Sequence, residues 1–544
     1  MGHNGESGGS DDMALLPAAG AALLTVFVLL PLSYLLLLAV NKPASPQRHG
    51  GASGHGRRQR LPPSPPGLPL LGHLHLLGSL PHRALQSLAR AHGPVMLLLL
   101  GCVPTVVVSS AAGAEEVMRA RDLAFASRPR SAMAERLMYG RDVAFAPYGD
   151  YWRQARRVCV VHLLSARRTR SFRRVREQEA AALVERVRAK AGAAVGLTEL
   201  LAEYANTVVC RAAFGDESAR GLFDGDDRAR ERIWEVLTGD FQKLMGTEPL
   251  GELLPWLGWV DAVRGLEGKI TRTFQALDGL LEKVIDDHRR RPPNTDDGDH
   301  RDFVDVLLDV HKHDKECGIQ LETNEIKAII LDMFGAGTDT TSAVMEWAMA
   351  ELVTHPRAMR KLQDEIRAAV GSASTGGGGG VDEGRVAQLH YLKAVVKETL
   401  RLHAPVPLLV PREPAADAEI LGYHVPARTR VVVNAWAIGR DPAAWEDAEE
   451  FVPERFSGSA AVDLKGQHME LVPFGAGRRG CPGVGFAEAS IEVALASLLY
   501  HFDWEAAEGK GSRAGASSLD MSEMNGLSVH IKSGLPLVAK PWIP

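Results

Sequence analysis

One of the five cysteines stands in a setting unlike the others. The stretch PFGAGRRGCPGVGF brings Phe474, Gly477, Arg479, Cys481 and Gly483 into a short loop that presents a single thiol and then opens a helix. Glycines remove the Cβ atoms that would hold a backbone away from a flat ring. Amide N–H groups near a helix start can donate to sulfur and favour the thiolate, the form that binds metal. Arg479 carries a guanidinium shaped for a carboxylate, and Phe474 is placed to pack beside the sulfur and exclude water. These types at this spacing suit a flat, carboxylate-bearing, metal-centred ring held through sulfur. The bland alternative is a Gly-rich turn around a buried cysteine. The other four, Cys102, Cys159, Cys210 and Cys317, lie far apart with no CxxC pair, so neither a disulfide framework nor a zinc site is expected. They read as small buried hydrophobes.

Further clusters accompany this loop. In LDMFGAGTDTTSAVMEWAMAELVTHP, the residues Ile326, Ile329, Ile330, Met333, Phe334, Val344, Ala348 and Leu352 suit one broad helical face that Pro356 ends. Within it Gly335 to Thr341 are small or hydroxylated, with Asp339 and Thr340 side by side. Glycine and hydroxyls weaken a helical ladder and make room for a non-protein group; alternatively the helix merely bends there. In KETLRLHAPVPLLVPR, Glu398 and Arg401 are three apart and can pair, which alone reads as a surface ion pair of little value. In YWRQARR, Trp152 and Arg156 are one turn apart. Arg412 follows the strand-like PLLVP, and solvated charges are the plain reading of both arginines.

The Cys481 loop resembles the haem-binding signature FxxGxRxCxG of the cytochromes P-450. The remaining landmarks of that family occur in its order: [AG]GxDT[TS] at Ala336 to Thr341, Glu398 and Arg401, FVPERF with Arg455, and Trp152 with Arg156. The stretch YGRDVAFAPYGDYWRQARRVCVVHLLS is similar to plant family 71, subfamily A. The resemblance implies haem b with Cys481 as the iron ligand, whose sulfur pushes electron density toward O–O cleavage. It assigns Thr340 to hydrogen-bond dioxygen and Asp339 to deliver protons with it. Trp152, Arg156, Arg412 and Arg479 become partners of the haem propionates. Glu398, Arg401 and Arg455 become a buried charge network that braces the Cys481 loop. The hinge PPSPPGLP departs from the family's PPGPxGxP at Ser64, which touches membrane seating and not chemistry.

Elements must position these groups. Val95–Leu100 and 105–109 read as a hairpin, and 152–288 as mainly helical. The stretch RRRPPNTDDGD from Arg289 reads as a loop, and 303–402 as a second helical half interrupted by the Gly-Ser run 372–380. Strands are expected at 420–425 and 429–434, a last helix at Val484–His501, and strands again near 527–538. The fold class is mainly α with a minor β part, which the resemblance makes the P-450 fold: a large helical domain plus a small β-sheet domain around a buried haem, with one N-terminal transmembrane helix. Residues 13–40 carry no charge and are long enough to cross a bilayer. Acidic residues precede them and Lys42, Arg48, Arg57, Arg58 and Arg60 follow, so the bulk is expected on the cytosolic side. The boundaries are a lumenal N-terminus at 1–12, an anchor at 13–40, a basic and Pro-rich hinge at 41–69, and a catalytic domain at 70–544 on the endoplasmic reticulum membrane.

With 45% hydrophobic and 24% charged residues, composition excludes disordered and collagen-like classes. A net charge of −5 without a basic stripe argues against a nucleic-acid partner. No flavin or nicotinamide motif is present, so the resemblance implies two electrons from NADPH through a membrane-bound NADPH–cytochrome reductase, docked near Arg153, Arg157 and Arg478. The implied reaction is monooxygenation of a small lipophilic plant metabolite (terpenoid, aldoxime, indole or phenolic). Its expected walls are Met133, Leu137, Phe145, Met333, Phe334, Val406 to Val410 and Asn525 to Ser528. Two rivals remain at this point: a haem-thiolate aldoxime dehydratase or isomerase without net oxygen insertion, and a non-catalytic membrane haem protein.

Overall fold

A computed structural model describes residues 60–223, 235–291, 301–312, 321–371, 381–458, 462–507 and 519–543. The expected lumenal segment 1–12, the anchor 13–40, hinge residues 41–59, the Gly-Ser run 372–380 and Cys317 fall outside them. Among the described residues no helix is long and apolar enough to cross a membrane.

The chain enters through α1 (Pro81–His92), which starts on a proline and ends at Gly93. It then forms the hairpin β1 (Val95–Leu100) and β2 (Val103–Val108). Cys102 sits exposed in the hairpin turn, which corrects its expected burial: the tip is held through its backbone, Cys102 N–H donating to the Leu253 carbonyl at 2.8 Å, while the side chain stays exposed. Next come α2 (Asp150–Val158), α3 (Arg173–Arg188), the short β3 (Ala194–Gly196) and α4 (Leu197–Phe223), which kinks at Gly215. After α5 (Leu266–Arg290) and α6 (Phe303–Lys312) runs the longest described helix, α7 (Thr323–Thr354). Its start is fixed by a reciprocal pair: the Glu322 side chain accepts from the Glu325 amide while the Glu325 carboxylate accepts from Glu322 N–H at 2.9 Å. It stops at His355, before Pro356.

α8 (Pro356–Gly371) and α9 (His390–Leu402) follow, then the strands β4 (Ala418–Ile420), β5 (Tyr423–Val425) and β6 (Arg430–Val433). The single strand expected at 420–425 is thus a hairpin. Leu421 and Gly422 both take positive φ, 48° and 79°, the backbone of a tight two-residue turn whose twist matches its strands. The chain closes with α10 (Val484–His501), β7 (Phe502–Ala506), β8 (Glu523–Met524), β9 (His530–Ile531) and β10 (Pro536–Pro541). β6 pairs parallel with β2, and β10 lies between β3 and β7.

α7 is the axis of the helical part. It packs most extensively along α4 and also against α6, α9 and α10. The expected single apolar face is too narrow a reading. Glu346, Glu351 and Lys327 are buried along with the aliphatic residues, because neighbours surround the helix. The helix also runs unbroken through Gly335 to Thr341. A Cβ at Gly335 would come within 2.7 Å of Phe241, and one at Gly337 within 3.0 Å of Val209 on α4. These glycines therefore admit protein neighbours. The open side of α7 is carried by exposed Ala336 and half-buried Thr340, one turn apart.

Candidate functional site

The Cys481 loop closes on itself. Cys481 N–H donates to the Phe474 carbonyl at 2.9 Å, and Gly483 N–H donates to Cys481 Sγ at 3.3 Å, just before α10 begins. Gly477 has φ +68°, and a Cβ there would stand 2.1 Å from the Met118 carbonyl oxygen, so the loop requires glycine for contact with its own protein. Leu409 adopts a left-handed φ of 52° in the segment 406–410, whose side chain would sit 3.9 Å from a Cβ at Gly475. Phe474 is half-buried against the main helical core.

Cys481 itself lies in a slot: its own surface is open while protein surrounds it. That enclosure pushes the thiol's pKa up, against the opposing pull of the Gly483 amide and Arg156. Amide donation alone therefore does not make a thiolate here. A coordinating metal removes such a proton outright.

Around the loop four arginines converge. Arg156 on α2 donates to the Gly480 carbonyl at 2.5 Å. Arg479 gives Nε to the Ala126 carbonyl at 2.7 Å and its two amino groups to Val143 and Ala146 carbonyls at 3.2 and 2.6 Å. Trp152 Nε1 donates to the same Val143 oxygen at 2.9 Å, and Arg479 lies over its ring at 4.0 Å. Arg412 reaches the Ala476 carbonyl at 2.7 Å and Asp122 at 3.2 Å. The fourth, Arg128, binds the carbonyls of Ala144, Val410 and Pro411 at 2.9, 2.6 and 2.8 Å.

Burial first, and then neighbouring guanidinium charge, push Arg128 and Arg479 down: Arg479 and Arg412 act on Arg128, and Arg412 and Arg156 act on Arg479, which falls to about 9. Arg156 and Arg412 are lowered chiefly by burial. Asp122 offsets Arg412, but the other two acids nearby do little to balance the rest. Burial pushes Asp142 up to about 6 and holds Asp332 well above the usual carboxylate range. A cluster of buried cations, two of them depressed by their neighbours, beside one accessible soft ligand, is a donor set that fits a metal-centred ring bearing carboxylates. Arg128 was not legible in the sequence. It sits in SRPRS without periodicity, and only its proline neighbour hinted at a fixed backbone.

Asp332 joins this cluster to α7. It accepts from the amides of Val143 and Ala144 at 2.5 and 3.3 Å. The loop 142–146 thus offers its N–H groups to α7 and its carbonyls to Trp152, Arg128 and Arg479. Two turns further along α7 stand Asp339 and Thr340. Thr340 Oγ1 donates to the Ala336 carbonyl at 2.6 Å. Asp339 points elsewhere, to His530 Nε2 at 3.1 Å, and its carboxyl is held low by that imidazole against the effect of burial. Of the expected substrate walls, Met133, Leu137 and Phe334 are core residues, while Phe145 and Met333 are half-exposed beside them.

Glu398, Arg401 and Arg455 do come together. Arg401 makes two bonds to Glu398, Nε at 2.7 Å and a terminal nitrogen at 2.8 Å. Arg455 Nε and Val452 N–H add 3.1 and 2.8 Å. Arg401 also binds the carbonyls of Gly439, Ala448 and Glu450. The network therefore anchors the segment 439–455 that leads toward the Cys481 loop.

A family model described as Cytochrome P450 matches residues 62–519. Among curated relatives, Cytochrome P450 71A1 of Persea americana is 48% identical over 474 residues, 86% of this chain and 91% of its own. Cytochrome P450 736A117 of Prunus mume is 46% identical over 486 residues, covering 89% and 91%. The (+)-menthofuran synthase of Mentha piperita is 44% identical over 495 residues, covering 91% and 96%. Among solved structures, a zebra fish cytochrome P450 with abiraterone matches with a TM-score of 0.70 at 26% identity, over 86% of this chain and 100% of that one.

Proposed function

The chain belongs to the cytochrome P450 family, of the plant 71A type, and from that premise we propose that its substrate is a small lipophilic plant metabolite of the terpenoid, aldoxime, indole or phenolic class. It is a haem-thiolate monooxygenase. We further propose an NADPH-dependent reductase as its electron donor and the endoplasmic reticulum membrane as its location. Residues 13–40 would cross the membrane, with residues 1–12 lumenal and the body cytosolic. The uncharged run 13–40 and the basic residues after it support that reading.

Bound haem supplies dioxygen activation, to which a thiolate ligand contributes electron density. The chain's own groups do the rest. Cys481 offers the sulfur, and Phe474 keeps water from it. Arg128, Arg156, Arg412 and Arg479 would hold the propionates, and Trp152 fixes Arg479 by stacking. Asp339, held by His530, and Thr340, on the open side of α7, would hold and move protons. The half-exposed Phe145 and Met333 favour an apolar guest. A relative named for the small uncharged heterocycle it forms, (+)-menthofuran synthase, supports the same class. The observation that carries the reading is the accessible Cys481 thiol beside an excess of buried guanidinium groups.

Reconstitution with reductase, NADPH and isotopically labelled dioxygen tests it, after difference spectra with the four substrate classes have picked a ligand. One labelled oxygen atom per product molecule is expected. Turnover that leaves the product unlabelled would replace insertion by dehydration or isomerisation.

A further inference from the structure

Beside α7, His530 stands between two carboxylates. Its Nε2 lies 3.1 Å from Asp339 Oδ1 and its Nδ1 lies 3.0 Å from Glu346 Oε2. A carboxylate only accepts, so both ring nitrogens must carry hydrogen and the ring must be an imidazolium. Glu346 is fixed in turn: Thr198 Oγ1 donates to it at 2.5 Å and Ile531 N–H at 3.2 Å. Glu346 and Asp339 are seven residues apart on one helical face, so one ring on β9 can span them. The two acids, chiefly by hydrogen bonds to the ring, raise His530 to about 10 against burial.

The same ring borders a cleft of about 240 Å³ lined by Thr198, Glu199, Gln242, Thr338, Asp339 and His530, among others. Two of its lining residues carry a buried atom, Thr338 Oγ1 and Gln242 Oε1, with no hydrogen-bond partner among the described residues. Buried polar atoms beside a cleft of this size are satisfied by water.

We propose that His530 is a positioning residue for proton delivery: bridging Glu346 and Asp339, it fixes Asp339 at the wall of a water-filled cleft between α4 and α7, through which protons from bulk solvent reach that acid. The proposal rests on the role given above to Asp339 and Thr340. Each proton enters from bulk water, is taken by the Asp339 carboxylate, and is passed on through the Thr340 hydroxyl, which returns to its starting state. His530 keeps both of its protons, so the net change is one proton moved inward. The groups facing His530 are Asp339 and Glu346 of α7, Thr198 and Glu199 of α4, and Ser528, which lies against the Asp339 carboxyl.

Two experiments test it. Nitrogen-15 NMR of the haem-loaded protein should show His530 doubly protonated at pH 8, and Asp339→Asn should shift its titration downward. In reconstituted enzyme, His530→Gln should keep the carbon-monoxide spectrum and NADPH oxidation. Product formed per NADPH should fall roughly three- to tenfold and the solvent deuterium isotope effect should rise, as expected when proton supply is impaired. His530→Lys, which restores the charge, should recover part of the loss. A neutral His530 at pH 8, or a His530→Gln enzyme with unchanged coupling and isotope effect, would overturn the proposal. If the parent enzyme inserts no labelled oxygen, the monooxygenase reading fails instead, and the NMR result still decides whether the clamp exists.

Discussion

Two charge clusters flank the helical core, and they are built on opposite principles. At the end of α9, Glu398 is fully buried and faces Arg401 in a two-bond pair, with Arg455 and the Val452 amide closing its remaining lone pairs. Arg401 spends its other donors on three carbonyls. On α7, Asp339 is a quarter exposed at 23% and borders a cleft whose orphan atoms call for water. A saturated buried network has no low-energy rearrangement, so it holds shape. A half-open pair with solvent beside it can exchange protons and partners. The fold puts the first kind where a loop must stay still and the second where protons must move.

The largest effect should come from breaking the saturated cluster. Arg401→Ala leaves Glu398 buried beside three unsatisfied carbonyls and should cost about 3–5 kcal/mol, read by denaturant unfolding of the haem-loaded protein. Arg401→Lys should rescue little, since an ammonium cannot reproduce the planar fork. A mild effect of either would mean that this region relaxes as freely as the other.

Next comes Thr340→Ala on the open side of α7. It should leave folding intact while product per NADPH drops on the order of tenfold, measured as coupling in the reconstituted system. Among the described residues the hydroxyl bonds only to its own helix, so stability should barely change.

The third prediction concerns pH. His530 is raised in the folded protein from 6.5 to about 10. Its contribution to stability is therefore complete below pH 6.5, declines through the interval, and is gone above about 10. The difference in Tm between the parent and His530→Gln should shrink as pH rises across that window. The mirror experiment on Arg401 should show no such narrowing, because no histidine among the described residues takes part in that network. The smallest effect is expected at the exposed Arg478, half-open at 50% and paired with Asp122. Arg478→Glu should weaken reductase coupling a few-fold at low salt and less at high salt.

Legibility in the sequence followed the same divide. Pro356 and the span of α10 were open to reading because breakers and helix starts act locally. The Cys481 loop and the Glu398, Arg401 and Arg455 landmarks were open through resemblance. The α7 burial pattern was not, because a helix enclosed on all sides has no periodic apolar stripe to find. Arg128, Asp332 and His530 were missed for a related reason. Each works through partners far away in the chain, the Ala144 carbonyl, the Val143 amide and the Asp339 carboxylate, and no local pattern announces such a contact. The Ile420–Val425 segment looked like one strand because two positive-φ residues, one of them Leu421, turn it without a proline or an Asn-Gly pair.

The central claim is that Cys481 ligates the haem iron through sulfur. The most direct test is the absorption spectrum of the reduced, carbon-monoxide-bound protein, alongside Cys481→Ala. The account predicts a red-shifted Soret band, the mark of thiolate ligation, in the parent and its loss in the variant. A Cys481→Ala protein that keeps the band would contradict it.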